Sequence, residues 1–456
     1  MIALLLMLAC GSQPAEPQPQ PVKSNLPNIV LVTLDTTRAD ALGSYGGKDG
    51  ISPHFDAIAN AGVQFDAAFS HSPTTLSAHS SIFTGLDPHG HAVPRNGFPL
   101  GEAFETLAER LQSQGYDTMG VVAASVLNKD MGISQGFRLF DDDTPTDMGR
   151  RFEDRADRVT RRALKLVSQR DSSRPFFLWV HYYDAHSPYD APKDFKTRFT
   201  NTENRPKISN LSTNDRVADM IRAGRFSETQ LEYLKGLYFA EVAWVDQQMG
   251  RLFTALEDQS LLTNSLVAIT ADHGEAFADG HLHPVGHGHD VDSWATHVPL
   301  VIRGTGTVAT NSMRIEQTVK TSDLGSTLLS MAGLESKFGQ GQNLHRLIQG
   351  EPLDSNLVFM EASKPKKSEI EGLWNNIGHE QGVVDGKILY INNTRMRPVD
   401  RVFSLENGGQ KPLDNPEALE RLRKAWNEWN ERAPPHRTED FSDEMEEALR
   451  ALGYLE

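Results

Sequence analysis

Apolar runs that end on an acidic residue recur along the chain. Asn28-Ile29-Val30-Leu31-Val32-Thr33-Leu34-Asp35 is nearly continuous in β-branched and aliphatic side chains. That predicts a strand buried on both faces, with Asp35 at its C-terminal end. Phe176-Phe177-Leu178-Trp179-Val180-His181 and Leu266-Val267-Ala268-Ile269-Thr270-Ala271-Asp272 read the same way, and Val121 to Val126 predicts a smaller apolar strand. Helical spacing alternates with these runs. Ser52-Pro53 predicts a helix capped by Ser52 and closed at Gly62. Thr75 opens a short helix ending near Gly85. Phe104, Leu107, Ala108 and Leu111 share one helical face, with Gly115 as the stop. Ser227 and Gln230 form a capping box for a long helix to about Leu256. Strands alternating with helices predict an α/β doubly wound sheet, whose ligands collect beyond the carboxyl ends of its strands.

The pattern changes near residue 355. Gly382 to Ile391 predicts a hairpin around Asp385-Gly386. A helix follows from Pro416 to about Arg432, and Ser442-Asp443-Glu444 can cap a last one. Residues 193–226 are polar and broken, as expected of an insertion over the site. The expected organisation is therefore a signal segment (1–10), a Pro/Gln-rich linker (11–27), a catalytic domain (28–354) and a small C-terminal α+β subdomain (355–456). The run MIALLLMLAC has the length of a signal-peptide core and is too short to span a bilayer. Leu8-Ala9-Cys10-Gly11 resembles a bacterial lipoprotein cleavage box. Cys10, the chain's single cysteine, is thus a candidate lipidation site, which predicts a membrane anchor in the bacterial cell envelope.

Charge narrows the function. With 61 acidic and 45 basic residues the formal net charge is -16, which argues against binding nucleic-acid backbones. An anionic substrate needs local cations or a metal ion. Asp35, Asp272 and His273 fall at predicted strand ends and offer carboxylate and imidazole ligands to a divalent ion. Such an ion would lower the pKa of the Thr75 hydroxyl, and a helix N-terminus at Thr75 would add backbone donors for a tetrahedral anion. His181, Asp184 and His186 follow another strand. His281, His283, His287 and His289 crowd a later loop.

Several segments, in order, resemble the sulfatase-like family of the alkaline phosphatase superfamily: Asp35-Thr36-Thr37-Arg38-Ala39-Asp40, Ser52-Pro53-His54-Phe55-Asp56, the run from Pro73 to Gly85, Trp179 to Tyr189, Ala271 to Glu275, and His297 to Ile302. The resemblance implies an alkaline-phosphatase/sulfatase-like mixed sheet with a small C-terminal subdomain. It implies Asp35, Asp272, His273 and Thr75 as metal ligands, with Thr75 as nucleophile. It also implies His186 and His287 beside the reacting oxygens, and Asn96 and His79 as substrate contacts. Asn96 reads equally well as an ordinary Asn-Gly turn.

The departures are informative. Thr75 stands where sulfatases carry a residue oxidised to formylglycine, and threonine cannot undergo that conversion. His79 stands where they carry Arg, and Val122-Ala123-Ala124-Ser125 where they carry Gly-Lys-x-His. Lost fixed cations point toward phosphate or phosphonate esters rather than sulfate esters, and the gained His273 favours zinc or manganese over calcium. One metal is expected, with a second conceivable at Asp184, His186 and His287. The expected activity is metal-dependent hydrolysis of an anionic ester of a small molecule, lipid or glycan. The alternatives are a phosphoglycerol-type transferase, or an inactive binding lipoprotein.

Overall fold

A computed structural model describes residues 25–144, 154–206, 215–279, 283–354, 357–363, 380–393, 399–406 and 409–434. Cys10, His281 and the helix expected after Ser442 lie outside them. The centre is a nine-stranded sheet. Its strands run in the order Met313–Ile315, Val63–Phe69, His297–Gly304, Ser265–Ala271, Asn28–Leu34, Phe176–Tyr182, Asp117–Val121 and Leu139–Asp141, and Val319–Lys320 also pairs with Val63–Phe69. Asn28–Leu34 is parallel to both neighbours, while His297–Gly304 is antiparallel to both of its own, so the sheet is mixed. Every residue of Phe176–Tyr182 and Ser265–Ala271 is buried. Strands covered on both faces need no polar alternation, which is why these runs are apolar throughout.

Register does the positioning. Leu34 lies opposite Tyr182 on one side and Ala271 on the other. The next residue of each strand therefore leaves the sheet at the same end, and Asp35 emerges beside Asp272.

The helices follow the expected periodicities, with local corrections. Ser227 and Gln230 make both capping-box bonds at the start of Glu228–Asp258, and Thr106 and Glu109 do the same for Leu107–Ser113. Ser52 precedes Pro53–Ala61 but does not cap it. Asp246 of the long helix does so instead, accepting from His54 N (3.1 Å) and Phe55 N (2.7 Å). The strand expected at Val121–Val126 ends at Val121, and Ser125–Leu127 is a short 3-10 turn. The true strand begins at Asp117, whose buried charge is answered by Arg138 (2.7 Å). Within 193–226, Lys193–Phe199 packs on the long helix, and Asp215–Arg222 lies beside Val285–Gly286, which precedes His287.

A second, antiparallel sheet runs through Val358–Ala362, Glu380–Asp385, Ile388–Asn393, Val399–Glu406 and Gly409–Pro412. The expected turn is present: Asp385 pairs with Ile388 around Gly386, whose φ is +58°. Val383, Tyr390 and Val402 pack on helix Pro416–Asn430, and the opposite face meets Phe69 and Val291 of the first unit. Among the described residues no helix is long and apolar enough to cross a membrane.

Candidate metal centre

The strand ends build a buried carboxylate–imidazole cluster. Asp35 N donates to Tyr182 O (2.9 Å), extending the strand pairing by one residue. Thr36 then takes a left-handed conformation (φ +49°), which β-branched residues rarely adopt. This turn points Thr36 N at Asp272 Oδ1 (3.1 Å), which also accepts from His273 N (2.7 Å). Tyr238 pins the turn, donating to Thr36 O (3.0 Å) and accepting from Arg38 N (2.9 Å). Strain of this kind persists only where surrounding contacts over-determine it.

Asp35, Asp272 and His273 are fully buried, and one ligand atom from each lies within 4.8 Å of the others. His273 Nδ1 is beside Gly274 O (3.0 Å), a group that only accepts, so Nδ1 carries the hydrogen. Nε2 is left with its lone pair, 3.6 Å from Asp272 Oδ2. Neither that Nε2 nor Asp272 Oδ2 has a hydrogen-bond partner among the described residues. Burial first, then the neighbouring Asp35, pushes the Asp272 carboxyl well above the usual carboxylate range. Burial, then His287, pushes the His273 imidazole well below its ordinary value. Two buried carboxylates beside a neutral imidazole, with orphaned lone pairs, is costly unless a cation compensates it. The donor set fits a zinc- or manganese-type divalent ion.

Thr75 opens the fully buried helix Thr75–Thr84. Its N-cap, Thr74, makes no side-chain cap bond. Asn96 serves instead, accepting from Leu76 N through Oδ1 (2.7 Å), while its buried Nδ2 has no partner among the described residues. Asn96 is thus both a turn residue, beside Gly97 at φ +89°, and a donor left over for a ligand. Arg95 and Ser363 brace its loop: Arg95 Nη1 donates to Ser363 O (3.1 Å), and Ser363 Oγ donates to Pro94 O (2.7 Å).

His79 requires a correction. It was expected to touch substrate, but it is fully buried and both ring nitrogens are engaged, with Thr75 O (2.7 Å) and Thr33 Oγ1 (3.0 Å). It joins the Thr75 helix to the carboxylate–imidazole cluster, since its Nδ1 is also 3.8 Å from Asp272 Oδ2.

A row of imidazoles leads outward from the cluster. The His273 and His287 rings are 4.5 Å apart, and those of His287 and His186 are 4.8 Å apart. Glu275 Oε1 lies 3.3 Å from His287 Nδ1, and Glu275 Oε2 accepts from Tyr189 (3.4 Å). His186 Nδ1 meets Tyr183 Oη (2.7 Å) and the Ser187 carbonyl.

The second metal conceived at Asp184, His186 and His287 is not gathered. Among the described residues, the sets with metal-ligand spacing are Asp35–Asp272–His273 and His79–His181–Asp272. Asp184 instead accepts from the backbone of Ala156, and burial pushes its carboxyl up to about 7. His283 and His289 stack on each other, 4.0 Å apart, apart from the cluster. The sequence reading named His181 and Glu275 at strand ends without giving them a role, and missed Tyr238. A histidine inside an otherwise apolar strand was the available signal for His181.

A family model described as Sulfatase matches residues 27–334. An arylsulfatase of Clostridium perfringens is 23% identical over 309 residues, covering 56% of this chain, and the chain spans 64% of that protein's length. Two solved structures are similar in fold. A phosphonate monoester hydrolase from Silicibacter pomeroyi has a TM-score of 0.68 and 20% identity, covering 90% of this chain and 96% of that one. A protein solved in complex with its substrate D-glucosamine-2-N,6-O-disulfate has a TM-score of 0.70 and 16% identity, covering 90% and 98%.

Proposed function

Since the chain belongs to the sulfatase family, within the alkaline phosphatase superfamily, we propose that it hydrolyses a monoanionic ester through Thr75, with a phosphodiester or phosphonate ester preferred over a sulfate ester. The observation that carries this reading is Thr75 at the head of a buried helix tied to the Asp35–Asp272–His273 cluster, in which Asp272 Oδ2 and His273 Nε2 have no hydrogen-bond partner among the described residues. Those three residues would hold a divalent ion, which when bound acidifies a hydroxyl and polarises an ester oxygen.

The remaining chemistry belongs to the chain's own side chains. The Thr75 oxygen attacks phosphorus, the bond to the leaving alcohol breaks, and water later releases Thr75. His186 and His287 would pass protons to the leaving oxygen and from the water. Their Nδ1 atoms are held by Tyr183 and Glu275, which orients both rings. Asn96 Nδ2 is the donor available to a non-bridging oxygen.

Two features support the substrate preference. Threonine cannot supply formylglycine chemistry. The cation Arg38 beside the cluster is already bound by Asp40 and Asp279. A site with so little free positive charge suits a monoanion, which sets phosphodiesters, phosphonate monoesters and sulfate esters alike apart from dianionic phosphate monoesters, so the preference for phosphorus over sulfur rests on Thr75. Acid quench of the metal-loaded protein during turnover of bis-p-nitrophenyl phosphate should trap a phosphoryl ester on Thr75, seen by peptide mass. An adduct on any other residue would remove Thr75 from the mechanism.

A further inference from the structure

Two fully buried residues that the mechanism does not use, His79 and His181, lie beneath the ligand cluster with rings 5.0 Å apart. With Asp272 they have the spacing of a second metal site. Their hydrogen bonds decide which nitrogens carry hydrogen. Thr75 O only accepts, so His79 Nδ1, 2.7 Å away, must be the N–H. Trp179 Nε1 donates to Thr33 Oγ1 (2.9 Å), which frees the Thr33 hydroxyl to donate to His79 Nε2 (3.0 Å). Ala123 N donates to His181 Nδ1 (3.3 Å), so that ring carries its hydrogen on Nε2, 3.3 Å from Asp35 Oδ2. The two nitrogens nearest the carboxylates therefore both carry hydrogen. Neither presents the lone pair a metal needs.

We propose that His79 and His181 are positioning residues rather than ligands of a second ion: His181 sets its Nε2–H against Asp35 Oδ2 at 3.3 Å, a charge–dipole contact outside hydrogen-bond geometry, and His79 fixes the backbone of Thr75 through Nδ1–H. The inference rests on the metal-site reading above. It extends that reading by making the support beneath the ligands uncharged. His79 stands where the family resemblance expects Arg, and Ala123, where it expects Lys, gives its backbone N–H to His181. Two imidazoles thus orient the site without adding the fixed positive charge of those residues. Contacts that orient a ligating group are worth about 10- to 100-fold in metal affinity.

The test is metal content and affinity in the full chain loaded with Mn2+ or Zn2+, for wild type, His181→Gln and His181→Ala. A glutamine amide can still donate from the region of Nε2 but is a poor metal ligand. The expected result is one ion per chain throughout, with affinity within a few-fold of wild type for His181→Gln and about 10- to 100-fold weaker for His181→Ala. Two ions per chain in wild type, or a His181→Gln protein that loses metal as completely as His181→Ala, would overturn the proposal. If His181→Ala does not fold, wild-type stoichiometry and His181→Gln still decide. No metal in wild type would instead remove the metal-site reading itself, a distinct outcome.

Discussion

Two buried assemblies in this molecule use the same residue types and finish in opposite states. At the junction of the two sheets, His89 Nε2 meets Glu361 Oε2 (3.0 Å), and the ring stacks on Trp429 at 3.6 Å. Glu361 also accepts from Gln381 (3.1 Å), Gln381 pairs with Asn430 (3.0 Å), and Trp429 Nε1 donates to Asp87 (3.0 Å). None of these side chains carries a buried polar atom left without a partner. At the candidate metal centre, Asp272 and His273 each retain one among the described residues. A buried histidine–carboxylate pair therefore says little by itself. Whether the lone pairs are spent within the protein or left over separates structure from function.

The largest break of this comparison comes from Asp272→Asn. Metal binding should be lost and turnover should fall at least ~1,000-fold. The metal-free protein should gain on the order of 1–2 kcal/mol in denaturant unfolding, because a carboxyl that burial, then Asp35, keeps from ionising is replaced by a neutral amide. An Asp272→Asn protein less stable than metal-free wild type would contradict this. Trp429→Ala should do the reverse, costing about 3–5 kcal/mol of stability while leaving metal content per folded chain unchanged.

Acid should weaken the junction by a smaller amount. His71 bridges Phe359 O (2.7 Å) and Ser322 Oγ (2.9 Å), and burial, then Lys320, lowers its pKa from 6.5 to about 4. A depressed histidine contributes stability that is full above pH 6.5 and lost as pH falls toward 4. The loss should be on the order of 1–2 kcal/mol at pH 5. His71→Gln should flatten that slope in an unfolding series from pH 7 to 4.5.

Asn96 gives the finest separation. Asn96→Ala should cost about 1 kcal/mol as a lost helix cap and also raise KM. Asn96→Asp should keep the cap and raise KM alone. Equal KM in all three proteins would remove Asn96 from substrate binding.

Legibility in the sequence follows how local each cause is. The strand Asn28–Leu34, the Ser227/Gln230 capping box and the Asp385-Gly386 turn are dictated within a few residues, and all were readable. Asp117–Val121 was misplaced because an aspartate argues against a buried strand until Arg138, 21 residues on, is known to pair with it. The gathering of Asp35, Asp272 and His273 was readable because strand ends of an open α/β sheet leave it side by side. The tautomers of His79 and His181 were not. They depend on Thr75 O and Thr33 lying against the two nitrogens of His79, and on Ala123, 58 residues away, giving its N–H to His181. The junction was equally hidden, since His89 and Trp429 are 340 residues apart and no local pattern joins them.

The central claim is that Thr75 is the nucleophile of a metal-dependent ester hydrolase. Its most direct test is a pair of rates on bis-p-nitrophenyl phosphate and p-nitrophenyl sulfate, for metal-loaded wild type and Thr75→Ala with matched unfolding curves. The account predicts phosphodiester cleavage that exceeds sulfate cleavage and falls at least ~1,000-fold in Thr75→Ala. A folded Thr75→Ala protein that keeps wild-type turnover, or a wild type that cleaves only the sulfate, would contradict it.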